Sequence, residues 1–195
     1  MKKLIGLSIF TVLMLMTHGM AVGGSGSRLL KEIVGSDQKL EWARSNPVLI
    51  SKKEYNLAIT PKTILLPSKE LIKFTLVIYN TKEEPLAFSL ENIRIYSGDK
   101  NFELLPEETL LANEKREILK DYSRLSKEAL KPLAPFIEDK LNRLRVQLLK
   151  KQSIPPKKRL EGLFAIDPPM KTKKVTIEIT TPKDKHIFNF SLIDL

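Results

Sequence analysis

The stretch IKFTLVIY, residues 72–79, contains the pattern from which the fold follows. Its bulky side chains alternate, so that Ile72, Phe74, Leu76 and Ile78 lie on one side of an extended chain. Alternation with a period of two is typical of a β-strand with one strongly apolar face. Such a face has to be buried against other strands, so the stretch predicts a structure built mainly from packed sheets.

Short strand patterns separated by turn signals surround this stretch. The polar segments NTKEEP (80–85) and SGDK (97–100) indicate turns between alternating apolar runs. The segment TPKDK (181–185) predicts a hairpin turn near the end of the chain. Several short strands with turns between them favour an antiparallel sandwich. Strand patterns return in three late runs, at 163–166, 172–180 and 186–192.

A helical period separates the two blocks of strands. From position 107 onwards apolar residues recur at heptad-like spacing, and Pro132 and Pro135 interrupt the pattern before a second stripe begins. We therefore predict an amphipathic helix pair at about 107–152, inserted between two strands. The two stripes consist of Leu111, Ile118, Tyr122, Leu125 and Ala129, and then of Ile137, Leu141, Leu144 and Leu148.

Residues 22–54 show no comparably clear pattern. A VGGSGS start leads to short apolar clusters at Leu29, Leu30 and Ile33, which fit one or two helical turns docked on a neighbour. Pro47 interrupts any continuation of such a helix. We therefore expect a partly ordered N-terminal arm.

The first residues predict export. Lys2 and Lys3 precede an apolar run of 13 residues and then small side chains, which is the order found in a secretory signal peptide. A helix that crosses a bilayer needs about 20 apolar residues, so we expect cleavage after Ala21, or nearly as well after Gly23. The alternative is an uncleaved N-terminal anchor. Because the chain has no cysteine, a lipid-anchored mature form, disulfides and thiol chemistry are excluded.

Together these patterns predict how the chain is divided into segments. We expect a signal peptide at 1–21, the arm at 22–54 and one domain at 55–195. The fold class of that domain is mainly β with an α insertion, namely an immunoglobulin-like antiparallel β-sandwich carrying an inserted helix pair. Two subdomains, one of them helical, are the alternative. The expected location is the periplasm or the extracellular space.

Basic residues concentrate in the helical insertion and just after it. Between residues 107 and 160 there are 14 Lys or Arg against 8 Asp or Glu, and the whole chain has a formal net charge of +10. Removal of the two lysines of the signal peptide leaves +8. A basic exported protein meets anionic lipids, anionic polymers or acidic protein faces, whereas nucleic acid is a poor partner in that compartment.

Five late cations are the candidate binding residues. Cations in the last turn of a helix oppose the negative end of its dipole, and this is the structural reason expected for Lys150 and Lys151. The helix dipole does not explain Lys157, Lys158 and Arg159, which lie farther along the chain. For these three the alternatives are a solvated turn and contact with an anion.

Two motifs resemble segments of small exported bacterial proteins of immunoglobulin-like fold. The motifs are FTLVIYNTKEEPLAFSLENIRIYSGDKNFELL (74–105) and IPPKKRLEGLFAID (154–167). In those proteins a strand ends in Asn before a polar turn, and an I-x-P-G step precedes an apolar strand. Lys157 stands where that step has its glycine. The resemblance covers roughly 55–105 and 154–193 and implies fold and compartment, since many of these proteins have no assigned activity.

The sequence offers no catalytic or metal-binding constellation. His186 is the only histidine beyond the signal peptide, and at the start of a strand we expect it to be a solvated edge residue rather than a general base. One histidine without cysteine argues against zinc, copper or haem. Glu83 and Glu84 are neighbours in a turn rather than partners across a cleft. We therefore expect no enzyme, no catalytic or metal residue and no cofactor.

The main functional hypothesis is a non-enzymatic exported envelope protein of Gram-negative type. In this hypothesis an immunoglobulin-like binding or adaptor module contacts another envelope protein through its basic helical insertion. The alternative is direct binding of an anionic envelope polymer or lipid surface through Lys157, Lys158, Arg159 and the second helix. A third hypothesis is a hydrolase with a pair of carboxylates between helices and sheet.

Overall fold

The computed structural model describes residues 27–43, 46–66, 71–123, 126 and 130–195. The predicted signal peptide at 1–21 lies outside the described residues. In the described part the protein is mainly β, with two antiparallel sheets and two helices. The strands are β1 (Arg28–Ile33), β2 (Gln38–Ala43), β3 (Asn46–Lys52), β4 (Asn56–Pro61), β5 (Leu65–Leu66), β6 (Ile72–Tyr79), β7 (Leu86–Phe88), β8 (Ile93–Ser97), β9 (Lys100–Phe102), β10 (Gln152–Ile154), β11 (Arg159–Ile166), β12 (Lys174–Thr180) and β13 (Lys185–Asp194).

The strands form two main sheets and one short pair. The first sheet has the order β5-β1-β13-β12-β8-β9, and the second has the order β11-β6-β4-β3-β2. Strands β10 and β7 pair separately. The predicted strand at 72–79 is confirmed as β6, and the turn at 181–185 does join β12 and β13 as a hairpin.

The two sheets pack face to face around one apolar core. In β6 the alternate residues Ile72, Phe74, Leu76 and Ile78 are fully buried, as their period predicts. The ring of Phe74 lies 5.0 Å from that of Phe190, which comes from the first sheet. Burial of each such side chain contributes about 1.5–3 kcal/mol, so this core is the main source of stability in a chain without disulfides.

The prediction of a partly ordered, helical N-terminal arm at 22–54 is wrong for its described residues. Strands β1, β2 and β3 occupy this stretch, and β1 lies inside the first sheet between β5 and β13. Leu30 is buried opposite Leu192 of β13. The apolar cluster around Leu30 fits a helical turn and a strand equally well, and pairing with the far end of the chain selects the strand.

The helix pair lies between β9 and β10, within the predicted range. Helix α1 spans Glu107–Asp121, a short 3-10 helix spans Lys131–Leu133, and helix α2 spans Ala134–Gln147. Two separate apolar clusters hold the pair. One cluster joins the helices through Ile118, Ile137 and Leu141. The other joins their base to β11 and consists of Leu110, Leu148, Leu163 and Ala165.

The helices therefore pack on each other and touch the sheets at their base. Within the part of the chain that the structure describes, neither helix has the length and apolar character needed to cross a membrane.

Candidate binding sites

The cluster Lys157, Lys158 and Arg159 begins in a tight turn between β10 and β11. The backbone N–H of Lys158 donates to the carbonyl of Pro155 at 3.2 Å, which closes the turn. Lys157 adopts φ +56°, the left-handed conformation that favours glycine. The turn is thus tight and left-handed although a lysine, rather than a glycine, occupies this position.

The side chain of Lys157 has a structural role that was not predicted from the sequence. Its Nζ atom donates to the carbonyl oxygen of Thr81 at 2.6 Å and pairs with Glu83 at 2.8 Å. Arg159 faces Glu161 at 3.9 Å. Two of the three cations therefore meet a carboxylate, and Lys157 fastens the 155–158 turn to the turn after β6.

Asn80 also joins these two turns, through hydrogen bonds of its side chain and backbone. Its side chain is fully buried, and its Nδ2 atom donates to the carbonyl oxygens of Glu84 at 2.7 Å and Ile154 at 3.0 Å. Its backbone N–H donates to the carbonyl of Lys158 at 2.9 Å. The strand-ending Asn in the quoted motif was the sequence signal for this junction.

Lys150 and Lys151 are not in the last turn of a helix, which corrects the dipole explanation. Helix α2 ends at Gln147, and Leu148 is extended with ψ 140°. The backbone N–H of Leu149 donates to the carbonyl of Leu163 on β11 at 2.8 Å. Both lysines therefore belong to the segment at 148–151, which leaves the helix in an extended conformation along β11, and they lie beyond the negative end of the helix dipole.

Lys150 and Lys151 instead line a cleft of about 420 Å³, which we call the leucine cleft. One wall is the extended segment at 148–151, and the other is the segment at 104–107 that leads into α1. Both walls are fastened to β11, since Leu105 also donates its N–H to the carbonyl of Ala165 at 3.0 Å. The lining also contains the buried Leu110, Leu163 and Phe164 and the exposed Leu90.

The leucine cleft is apolar apart from three charged residues. Nine of the residues that line it are Leu, Pro or Phe, and the others are Glu107, Lys150 and Lys151. Glu107 forms an ion pair with Arg145 at 3.1 Å. Two lysines of this site were among the predicted binding residues, but its apolar part was not predicted, because that part comes from segments far apart along the chain.

Gly162 allows the wall at 148–151 to approach β11. A Cβ atom at position 162 would lie 2.5 Å from the Cα atom of Leu149 and 2.7 Å from its Cδ1 atom. Any larger residue would push this wall outwards. Gly162, the glycine of the motif at 154–167, thus determines how closely this wall of the cleft approaches β11.

The outer face of α2 consists of Phe136, Asp139, Lys140, Arg143 and Val146. At about 100° per residue these positions lie opposite the buried Ile137 and Leu141. Phe136 is 45% exposed and Val146 is 83% exposed. The Nζ atom of Lys140 lies 4.8 Å from the centre of the Phe136 ring, and Arg143 pairs with Asp139 at 2.9 Å.

His186 is fully buried, so the prediction of a solvated edge histidine is wrong. Its Nδ1 atom lies 2.9 Å from the Oγ atom of Ser51, which is also fully buried. Burial, and then the nearby cation of Lys53, lower the pKa of His186 to about 4. A serine and a histidine that are both enclosed between the sheets offer no nucleophile to a substrate.

Among the described residues no three or more His, Cys, Asp or Glu side chains are grouped so that they would hold a metal ion. Comparison with known proteins found no matching family model, no matching curated protein and no matching solved structure.

Proposed function

We propose that the protein is a non-enzymatic exported envelope protein that binds another envelope protein through the outer face of α2. In this proposal the two sheets form an immunoglobulin-like β-sandwich, and the helix pair is an insertion that carries the binding surface. The shared core of two antiparallel sheets supports the sandwich. The proposal also draws on the two turns that Asn80 joins, because both lie in the motifs that resemble exported immunoglobulin-like proteins.

The exposure of Val146 and Phe136 is the observation that carries the binding proposal. Both apolar side chains are turned to solvent on a helix whose opposite face is already buried. They lie ten residues apart, about 15 Å along the helix axis, and charged side chains lie between them on the same face. A face that combines aromatic or aliphatic side chains with charges is typical of protein interfaces. Lys140 and the basic surplus between residues 107 and 160 favour a partner whose apolar patch has an acidic rim.

The alternative, direct binding of an anionic polymer or lipid surface through Lys157, Lys158 and Arg159, has less support. The side chains of Lys157 and Arg159 already face carboxylates, and Lys157 has a role in holding its turn. The third hypothesis, a hydrolase, requires two converging carboxylates. The leucine cleft has one, Glu107, which pairs with Arg145.

Site-specific photo-crosslinking in the native cell envelope tests the proposal. A photoreactive amino acid at position 146 is expected to give a discrete crosslinked product with an envelope protein. The same group at position 193 is the matched control, because Ile193 is also an exposed apolar residue, 42% exposed, but lies on β13. Equal crosslinking from both positions would contradict the proposal.

A substitution and its control provide the second arm. Phe136→Ser, in the chain that carries the photoreactive group at position 146, is expected to abolish the crosslink without loss of thermal stability, because the replaced side chain is exposed. Ile187→Ser with Ile193→Ser should leave it intact. Export is tested separately by cell fractionation and N-terminal sequencing, which should find a mature chain that begins after Ala21.

A further inference from the structure

The leucine cleft combines a mainly apolar lining with a pair of cations, Lys150 and Lys151, and it shares no lining residue with the outer face of α2. We propose that it binds the single acyl chain of an anionic amphiphile, with the carboxylate or phosphate head group at Lys150 and Lys151. The occupant is thus a small lipid-like molecule rather than a macromolecule.

The apolar part of the cleft fits an acyl chain. Its volume of about 420 Å³ lies in the range of about 300–1,000 Å³ that is usual for small-molecule sites. Seven of the residues that line it are leucines, and one of them, Leu90, is 38% exposed. An uncharged polar side chain is absent from the residues that line it. A peptide would bury backbone N–H and C=O groups that these side chains do not satisfy, whereas a hydrocarbon chain has no such requirement.

The charges at the cleft fit an anionic head group. Neither Lys150 nor Lys151 has an ion pair or a side-chain hydrogen bond with any residue that the structure describes, and both side chains are exposed. The remaining charge, Glu107, is neutralised by Arg145 at 3.1 Å. Other lysines of this basic protein also lack partners among the described residues, but these two line an apolar cleft.

The start of α1 adds to the same electrostatic field. Pro106 occupies the N-cap position without a side-chain hydrogen bond to the first turn. Both Pro106 and Glu107 line the cleft, so the positive end of the α1 dipole is directed at this region. The two lysines and the helix terminus therefore both attract an anion electrostatically.

Isothermal titration calorimetry with three twelve-carbon probes tests the proposal on the purified full chain after delipidation. The probes are dodecanoate, dodecyl phosphate and the neutral dodecanol, each below its aggregation concentration. We expect the chain to bind at least one anionic probe at least about tenfold more tightly than dodecanol. The stronger of the two anionic probes then identifies the head group as carboxylate or phosphate.

Two variants and one control locate the site. Lys150→Ser with Lys151→Ser is expected to weaken binding of the anionic probe about tenfold or more and to leave dodecanol binding unchanged. Leu90→Gln is expected to weaken the binding of all three probes. The matched control is Lys157→Ser with Lys158→Ser, which removes the same charge from the neighbouring turn and should have little effect.

Three results would overturn the proposal. They are absence of binding to both anionic probes by the folded wild-type chain, equal affinity for dodecanol and the anions, and equal loss of affinity in the two double-lysine variants. Circular dichroism establishes folding of each variant. The variant Phe136→Ser with Val146→Ser should retain full affinity for the probe, so failure of this inference is separable from failure of the proposed protein contact.

Discussion

The Nδ1 atom of His186 lies 2.9 Å from the Oγ atom of Ser51, and this contact joins the two sheets through the core. Both side chains are fully buried, and the Nε2 atom of His186 has no hydrogen-bond partner among the described residues. Protonation of the ring would leave an N–H group without an acceptor in an apolar interior. The folded state therefore favours neutral histidine, in agreement with a pKa lowered to about 4 by burial and by Lys53.

The first prediction is a loss of stability in mild acid that depends on His186. The unfolded chain takes up a proton below the ordinary pKa of 6.5, whereas the folded chain does so only near 4. The contribution is therefore fully present above pH 6.5 and is lost as pH falls from 6.5 to about 4. We expect a decrease of about 1–3 kcal/mol in the free energy of unfolding over this range.

Urea denaturation at pH 7 and pH 4.5 measures this decrease, and His186→Gln is the reference variant. Glutamine does not titrate, so the variant should lose less stability between the two pH values than the wild type. Asp37 has a pKa lowered from 3.8 by a hydrogen bond with Lys53, and its contribution is lost only at lower pH. An identical pH dependence in both proteins would show that His186 does not titrate differently on folding.

The second prediction concerns the left-handed backbone of Lys157. Glycine tolerates φ +56° better than alanine by about 1 kcal/mol, so Lys157→Gly should be more stable than Lys157→Ala by about that amount. Both variants lose the contacts with Thr81 and Glu83, so the comparison isolates the backbone. Chemical denaturation measures the difference. Equal stability of the two variants would exclude the left-handed turn.

The third prediction concerns the close approach of Leu149 to Gly162. Gly162→Ala should lower the free energy of unfolding by about 1–3 kcal/mol, because the new methyl group meets backbone and side-chain atoms of Leu149. The control Gly35→Ala should cost little, since its methyl group meets only the side chains of Gln38 and Asp37.

A double-mutant cycle sharpens this third test. When Leu149→Ala is combined with Gly162→Ala, the side-chain part of the clash is removed, and the combined loss should be smaller than the sum of the single losses. Strict additivity, measured by denaturation of all four proteins, would mean that the two positions do not touch.

Several elements were predictable because their pattern is local. The period of two in 72–79 identified β6, and the two apolar stripes identified α1 and α2 together with their buried residues Ile118, Ile137 and Leu141. The turn at 181–185 was likewise a property of adjacent residues. In each case the side chains that decide the structure are neighbours along the chain.

The candidate site was predictable only in part. Lys150 and Lys151 were selected for their charge, but the reason assigned to them assumed that α2 continues past Gln147. The helix ends earlier because Leu148 and Leu149 bond and pack along β11, where Gly162 leaves room for them. The apolar walls of the cleft could not be foreseen, because the residues at 90, 104–110, 148–149 and 163–164 become neighbours only after folding.

The sequence by itself determined that 72–79 and the late alternating runs are strands, that two amphipathic helices follow position 107, where the basic residues concentrate, and that no disulfide supports the fold. Only the tertiary structure decided that the segment around Leu30 is a strand, that His186 is buried against Ser51, and that Lys157 holds a turn. The physical reason is the same for all three. Their states depend on contacts between residues that are far apart in the chain, and such contacts leave no periodic trace in the local sequence.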